Sequence, residues 1–306
     1  MSRRSLHRSI YLYLISVLFV GMRLTAVAQA SIINDSLLIE GHYRAFHYHQ
    51  PPGQSRLGQS RPGLIFVLHG SGGRGIDAMP SAANMEQEAI KNNILPVYPD
   101  GYKRYWNECR KASPAQANLE DVNEQAFFAG MIDYFKQRYN ADPTRVFVVG
   151  TSGGGHMAYK LGLTMPRNFR AITAIIANLP DSTNLDCQPS GQPIAMQIIN
   201  GTEDPINPYN GGPVVLGGNM RMGNVCSTDQ TLAYWAGLAH YRGAPVRTNV
   251  PDADPNDGRT VERYTYHERG KPDVVLLKVI GGKHDYPKDI DVHLEALKFS
   301  LQQLQP

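Results

Sequence analysis

Cysteine and tryptophan are scarce in this chain, at three and two residues in 306. Three cysteines exclude a disulfide-dense miniprotein and a four-cysteine zinc site, and they allow at most one bridge within the chain. A long apolar run is missing too. The segment Ile10 to Val20 is too short to span a bilayer. It follows Arg3, Arg4, His7 and Arg8 and leads to Ala28-Gln29-Ala30, the pattern of an export signal with a small-x-small cleavage site. Residues 1–30 are therefore expected to be a signal peptide with no cysteine nearby for lipid attachment, and residues 31–306 a secreted or periplasmic protein.

An excess of one charge is lacking as well. The formal net charge is +3, but the first thirty residues hold four arginines and no acid, so the rest stands near −1. No basic patch argues for nucleic acid, and no amphipathic basic helix argues for a membrane once the signal is gone. Neither a repeat nor a Ser/Thr/Pro linker divides the remaining stretch of about 276 residues, which suits one domain.

What is present is an alternation of strands and helices. Leu37 to His49 alternates apolar and polar as an antiparallel edge hairpin would, Gln50 to Gly63 reads as a loop, and Leu64 to Leu68 as a buried strand. A helix over Met85 to Asn92, a strand over Ile94 to Tyr98 and a helix over Asp121 to Tyr139 follow. Strands at Arg145 to Val149, Ala171 to Ile176 and Ile194 to Ile199 precede a helix near Thr231 to Tyr241. Val261 to His267 and Val274 to Ile280 are the last strands, and Val292 to Leu304 the closing helix. The order predicts an α/β fold, a single domain with a mostly parallel central sheet covered by helices on both faces and function at the carboxyl ends of the strands. Thr248 to Thr260 reads as an exposed acidic loop, and its Asp252, Asp254 and Asp257 lack the spacing of an EF-hand.

Chemistry concentrates in Gly150-Thr151-Ser152-Gly153-Gly154, placed between the apolar run ending at Val149 and a helical segment. A buried strand, a serine between glycines and then a helix is the context of a nucleophile elbow. The hydroxyl is a poor nucleophile at neutral pH, so a histidine must take its proton and a carboxylate must set that histidine's tautomer. In the order Ser, acid, His, the candidate acid is Asp204, directly after the strand ending at Ile199, ahead of Glu203, Asp181 and Asp186. The candidate base is His284, after the last strand in Gly281-Gly-Lys-His284, ahead of His240, His267 and His293. His156, in the helix after the elbow, is expected to pack or cap. The loop His69-Gly-Ser-Gly-Gly73 follows the strand ending at Leu68. It would supply a second oxyanion N–H, from Ser71 give or take a residue, beside that of Gly153. His69 would hold this loop. Cys187 and Cys226 flank the segment carrying the candidate acid and are the preferred bridge over Cys109; three free thiols is the alternative.

These motifs, with Tyr98-Pro-Asp-Gly101, Trp106-Asn107, Asp142-Pro-x-Arg-Val146, Gly201-Thr-Glu-Asp-Pro205, Pro208-Tyr209 and Gly211-Gly212, resemble the α/β-hydrolases that comprise feruloyl esterases, acetylxylan esterases and polyhydroxybutyrate-depolymerase-like esterases. The resemblance runs from about Gly63 to the C-terminus. Two departures lie beside the pocket: Gly153 where the family often has Asn, and Asp285-Tyr286-Pro287 where it often has Thr-Trp-Pro. The resemblance implies a serine esterase needing neither cofactor nor metal, with Trp106, Asn107 and Tyr286 bordering a small or polysaccharide-linked ester. Feruloyl or acetyl esters of plant polysaccharide lead, and polyhydroxyalkanoate comes second. A peptidase would usually need a propeller or lid for which no residues remain, and a binding protein on the same fold would be expected to lack one of the three catalytic residues.

Overall fold

The computed structural model describes residues 31–50 and 61–305; the export signal read over 1–30 and most of the loop read over 50–63 lie outside the described residues. The hairpin of β1 (Ile32–Ile39) and β2 (His42–His49) turns at Glu40 and Gly41, both at positive φ. Buried β3 (Gly63–Leu68) leads to α1 (Gly75–Ala78), α2 (Ala83–Lys91), β4 (Ile94–Pro99), α3 (Gln116–Leu119) and α4 (Glu124–Tyr139). Then come β5 (Val146–Thr151), α5 (Gly153–Thr164), β6 (Ala171–Ile175) and β7 (Ala195–Gly201). A hairpin of β8 (Gly212–Leu216) and β9 (Met220–Val225) precedes α6 (Thr228–Leu238). The chain closes with β10 (Val246–Asn249), β11 (Thr260–Tyr266), β12 (Val274–Ile280) and α7 (Val292–Gln302).

Ten of these strands form one sheet in the order β1-β2-β4-β3-β5-β6-β7-β12-β11-β10. From β4 to β12 the neighbours are parallel, and the pairs at both edges are antiparallel. The parallel centre follows from composition. Strands such as Gly63–Leu68 and Ala171–Ile175 are buried along their whole length, which requires helices on both faces. On one face α4, α5 and α6 pack Phe128, Met157 and Trp235 against the sheet; on the other α2 and α7 bring Met85, Ala89, Leu297 and Phe299.

Caps set the helix boundaries that periodicity alone misplaces. Asn123 Oδ1 accepts from Ala126 N–H at 2.9 Å, so α4 begins at Glu124 rather than Asp121. A capping box between Ser227 and Gln230 starts α6 three residues before the first predicted one. The β8–β9 hairpin carries no signal in the sequence. Its two strands bury only Val214, Met222 and Val225, too few to show a period of two. The acidic loop is occupied by its own neighbours, with Asp254 on Lys288 at 2.6 Å and Asp257 accepting from the Arg259 N–H at 2.9 Å. Among the described residues no helix is long and apolar enough to cross a membrane.

The disulfide joins Cys109 to Cys187, with Cα atoms 5.1 Å apart across 78 residues of sequence, and Cys226 is free. This corrects the expected Cys187–Cys226 pairing. The loop after β4 folds back onto the segment after β6, where Lys111 N–H donates to Asn184 O at 2.7 Å and Asp186 N–H to Cys109 O at 3.2 Å. Cys226 instead points its thiol at Pro180 O, 3.6 Å away. The bridge constrains a long loop of the unfolded chain, so replacing both Cys109 and Cys187 by serine is expected to cost about 4 kcal/mol of stability. Cys226→Ser should stay within about 0.5 kcal/mol of the parent. Urea denaturation of the two variants checks this, and equal losses would contradict the pairing.

Candidate active site

Three loops at the carboxyl ends of β5, β7 and β12 carry Ser152, Asp204 and His284 to one place. Ser152 follows Thr151 at φ 54° and ψ −116°, a conformation that costs a non-glycine residue about 1–3 kcal/mol and persists only when its surroundings enforce it. They do. Ser152 N–H donates to Ile175 O at 2.8 Å, and His156 N–H donates to Ser152 O at 3.0 Å as α5 begins. Gly150 and Gly154 meet inside the turn, where a Cβ on Gly150 would stand 2.1 Å from Gly154 O.

His284 reaches both partners. Its Nε2 lies 3.0 Å from Ser152 Oγ and its Nδ1 2.7 Å from Asp204 Oδ2. A carboxylate can only accept, so Nδ1 carries the proton and Nε2 is free to accept from the serine hydroxyl. Asp204 is 6% exposed, and its other oxygen, Oδ1, accepts from the backbone N–H groups of Ile206 and Asn207, both at 2.8 Å. Among the described residues the other histidines weighed as base make no hydrogen bond to Ser152 Oγ: exposed His240 lies just beyond α6, His267 pairs with Asp273, and His293 is buried in α7. Of the other acids, Asp181 holds a turn through Thr183 and Asn184, and Glu203 is exposed.

The loop after β3 lies against the elbow. A Cβ added to Gly153 would stand 2.4 Å from Ser71 Oγ and 2.8 Å from Ser71 N. No side chain fits there, which gives a steric reason for glycine after the serine. His69 ties this loop down: its Nδ1–H donates to Gly70 O at 2.7 Å, and its Nε2 accepts from Gly101 N–H at 2.9 Å. Trp106 and Asn107, expected to border a substrate, are both buried. The Trp106 indole N–H donates to His69 O at 2.9 Å, and the Asn107 amide donates to Asp121 and to Val122 O. Glu124 links Asn107 N–H to the buried Arg44, so the scaffold behind the loop reaches back to β2.

Tyr286, by contrast, is 39% exposed, and its hydroxyl lies 2.9 Å from Thr151 Oγ1. It forms one wall of a cavity of about 200 Å³ whose other walls include Gly70, Gly73, Asp77, Thr151 and His293. Sequence reasoning missed Asn207. Its only signal is its place three residues after the acid, in Asp204-Pro-Ile-Asn207, where backbone N–H groups turn back on a carboxylate. It also missed the buried pair of Glu108 and Arg110, 2.8 Å apart.

No family model matches the chain. It is 28% identical over 282 residues to the esterase NocK of Nocardia uniformis subsp. tsuyamanensis, covering 88% of this chain and 78% of that one. To a feruloyl esterase C of Aspergillus niger it is 27% identical over 154 residues, 49% of this chain, and the match spans about half (51%) of that relative's length. Among solved structures, an acetyl xylan esterase from Aspergillus awamori superposes with a TM-score of 0.56 at 17% identity, covering 88% of this chain and 99% of that one. At that identity the likeness speaks for the fold, which is that of the α/β-hydrolases.

Two outcomes follow from this geometry. Gly153→Ala forces a Cβ into Ser71 and is expected to lower stability by about 1–3 kcal/mol, read from its denaturation midpoint. The second concerns His69, His156 and His293, whose proton affinities are all lowered, chiefly by burial. Unfolding lets each bind a proton near its ordinary value of 6.5, so below that pH the unfolded state holds more protons than the folded one. Stability is therefore complete above about pH 6.5 and falls as the pH drops through the lowered folded values. Urea midpoints at about pH 5 and pH 7.5 test this; equal midpoints would contradict it.

Proposed function

We propose that this chain, a carboxylic ester hydrolase of the α/β-hydrolase type, acts as an exported serine esterase that removes feruloyl or acetyl groups from plant polysaccharide through an acyl-enzyme. The observation that carries the proposal is the hydrogen-bonded line from Ser152 Oγ through His284 to Asp204, at 3.0 and 2.7 Å. The relatives that are named feruloyl and acetylxylan esterases support the substrate class. A disulfide between Cys109 and Cys187 supports an oxidising compartment.

In this reading Ser152 Oγ attacks the ester carbonyl while His284 Nε2 takes its proton, and Asp204 stabilises the imidazolium that forms. The negative charge that develops on the carbonyl oxygen is held by the backbone N–H groups of Ser71 and Gly153, donors worth about 10²–10³ in rate each. The tetrahedral species collapses as His284 returns the proton to the leaving alkoxide, and the alcohol departs. Water then repeats the sequence on the acyl-enzyme and releases the acid and free Ser152. Tyr286 and Thr151 wall the cavity beside the nucleophile and would contact the substrate. Trp106 serves the site from behind by holding the oxyanion loop through His69 O, while Asn107 braces the neighbouring segment at Asp121 and Val122.

Ser152→Ala is expected to lower kcat by about 10⁴-fold or more without loss of fold. The test is the initial rate on methyl ferulate and on an acetylated xylan, for parent and variant. Turnover of ferulate that vanishes in the variant supports an aryl-acid esterase, and turnover confined to the acetyl substrate supports the acetyl branch. Absence of any Ser152-dependent turnover on either substrate would overturn the proposal.

A further inference from the structure

His156 sits on the first turn of α5, 3% exposed, with its ring directed at the loop that carries Asp204. Its Nε2 lies 3.1 Å from Asn207 Nδ2. The same Nδ2 donates to Ile176 O at 2.7 Å, while Asn207 Oδ1 is buried without a partner among the described residues. These contacts settle the orientation of both groups. Turning the Asn207 amide over would set its oxygen against the Ile176 carbonyl, so the nitrogen must face both neighbours, and the imidazole must then accept at Nε2. His156 is therefore a neutral ring with its proton on Nδ1, an atom that is itself buried without a well-aligned acceptor among the described residues. Its proton affinity is well below the ordinary histidine value, first because of burial and then because of the positive charge of Arg110, with the Asn178 backbone working the other way.

The Asn207 amide is thereby clamped from two sides. One side is Ile176, a β-branched residue at φ 47°, which stands in a conformation such residues rarely adopt. The other is His156. The backbone of this clamped residue donates to Asp204 Oδ1 at 2.8 Å and leaves Oδ2 directed at His284.

We propose that His156 is a positioning residue: as a neutral acceptor for the Asn207 amide it fixes the Asn207 backbone N–H on Asp204, and through it the orientation of the carboxylate that holds His284. The inference rests on the proposed serine-esterase reading and deepens it. It assigns no contact between His156 and substrate. Loss of the acceptor leaves the Asn207 amide held by Ile176 O alone, loosens its N–H on Oδ1 and leaves that oxygen to the Ile206 N–H, so the carboxylate shifts from the His284 Nδ1–H. Small misplacements of that kind are costly to chemistry and leave substrate binding unaffected.

The experiment uses the exported protein without its signal and a p-nitrophenyl acetate assay, comparing His156→Met, His156→Gln, Asn207→Ala and the His156→Met/Asn207→Ala double variant. His156→Met keeps the volume but removes the acceptor. It is expected to lower kcat about tenfold or more with KM nearly unchanged. His156→Gln, which presents an amide oxygen, should recover a large part of that loss. The double variant should be no worse than the poorer single one, because both break the same link. Parent-like kcat in His156→Met, or losses that multiply in the double variant, would overturn the inference. If His156→Met does not fold, Asn207→Ala with parent-like kcat would overturn it in the same way. A parent protein without Ser152-dependent hydrolysis would instead sink the esterase reading, so the two failures are distinguishable.

Discussion

The strained backbone of Ser152 is the constraint around which the site is built. Its φ of 54° and ψ of −116° stand the hydroxyl above the end of β5 and turn the chain at once into α5. Such a conformation is held only by contacts that leave it no alternative. The 2.8 Å bond to Ile175 O ties the serine to the neighbouring strand, and glycines at 150 and 154 remove the side chains that would collide in the turn. A Cβ on Gly154 would stand 2.3 Å from Leu68 O, so the elbow packs backbone on backbone against the end of β3. The same proximity brings Ser71 beside Gly153. One close backbone contact thus places both the serine and the candidate oxyanion donors.

The segments around this contact are tied down by hydrogen bonds of their own. The loop after β3 is held by His69 through Gly70 and Gly101, and His69 is held in turn by the indole of Trp106. On the other side Asp204 is fixed by two backbone N–H groups, and Asn207 extends that support into α5 and to Ile176, just past the end of β6. Buried ion pairs stand behind both. Arg44 with Glu124 and Arg110 with Glu108 are almost free of solvent, and each carboxylate also accepts from a backbone N–H. Removing one partner of such a pair would leave an uncompensated charge, so they bind the surrounding loops to one arrangement.

Much of this was legible in the amino-acid order. Short, fully apolar segments bounded by loop residues, such as Leu64 to Leu68, suit buried strands between helices, and a glycine-flanked serine at the end of one of them suits a sharp strand-to-helix turn. Asp204 and His284 stood out as candidates because each follows within a few residues of such a strand. Helix starts were displaced by a few residues because Asn123 and Ser227 cap through side-chain geometry that hydrophobic spacing does not report. The β8–β9 hairpin was not legible, since its small private core of Val214, Met222 and Val225 leaves no periodic trace.

By itself the sequence determined the alternation of strands and helices and the turn at Ser152, and it marked Asp204 and His284 as candidates, because each of these rests on residues close by in the chain. Only the tertiary structure decided that Cys187 meets Cys109 rather than Cys226, that Trp106 supports the loop from beneath while Asn107 is tied to Asp121 and Val122, and that His156 and Asn207 stand behind Asp204. Those outcomes depend on which distant loops fold back on each other. Local propensity carries no record of that choice, which is made when the sheet and its covering helices close around a common core.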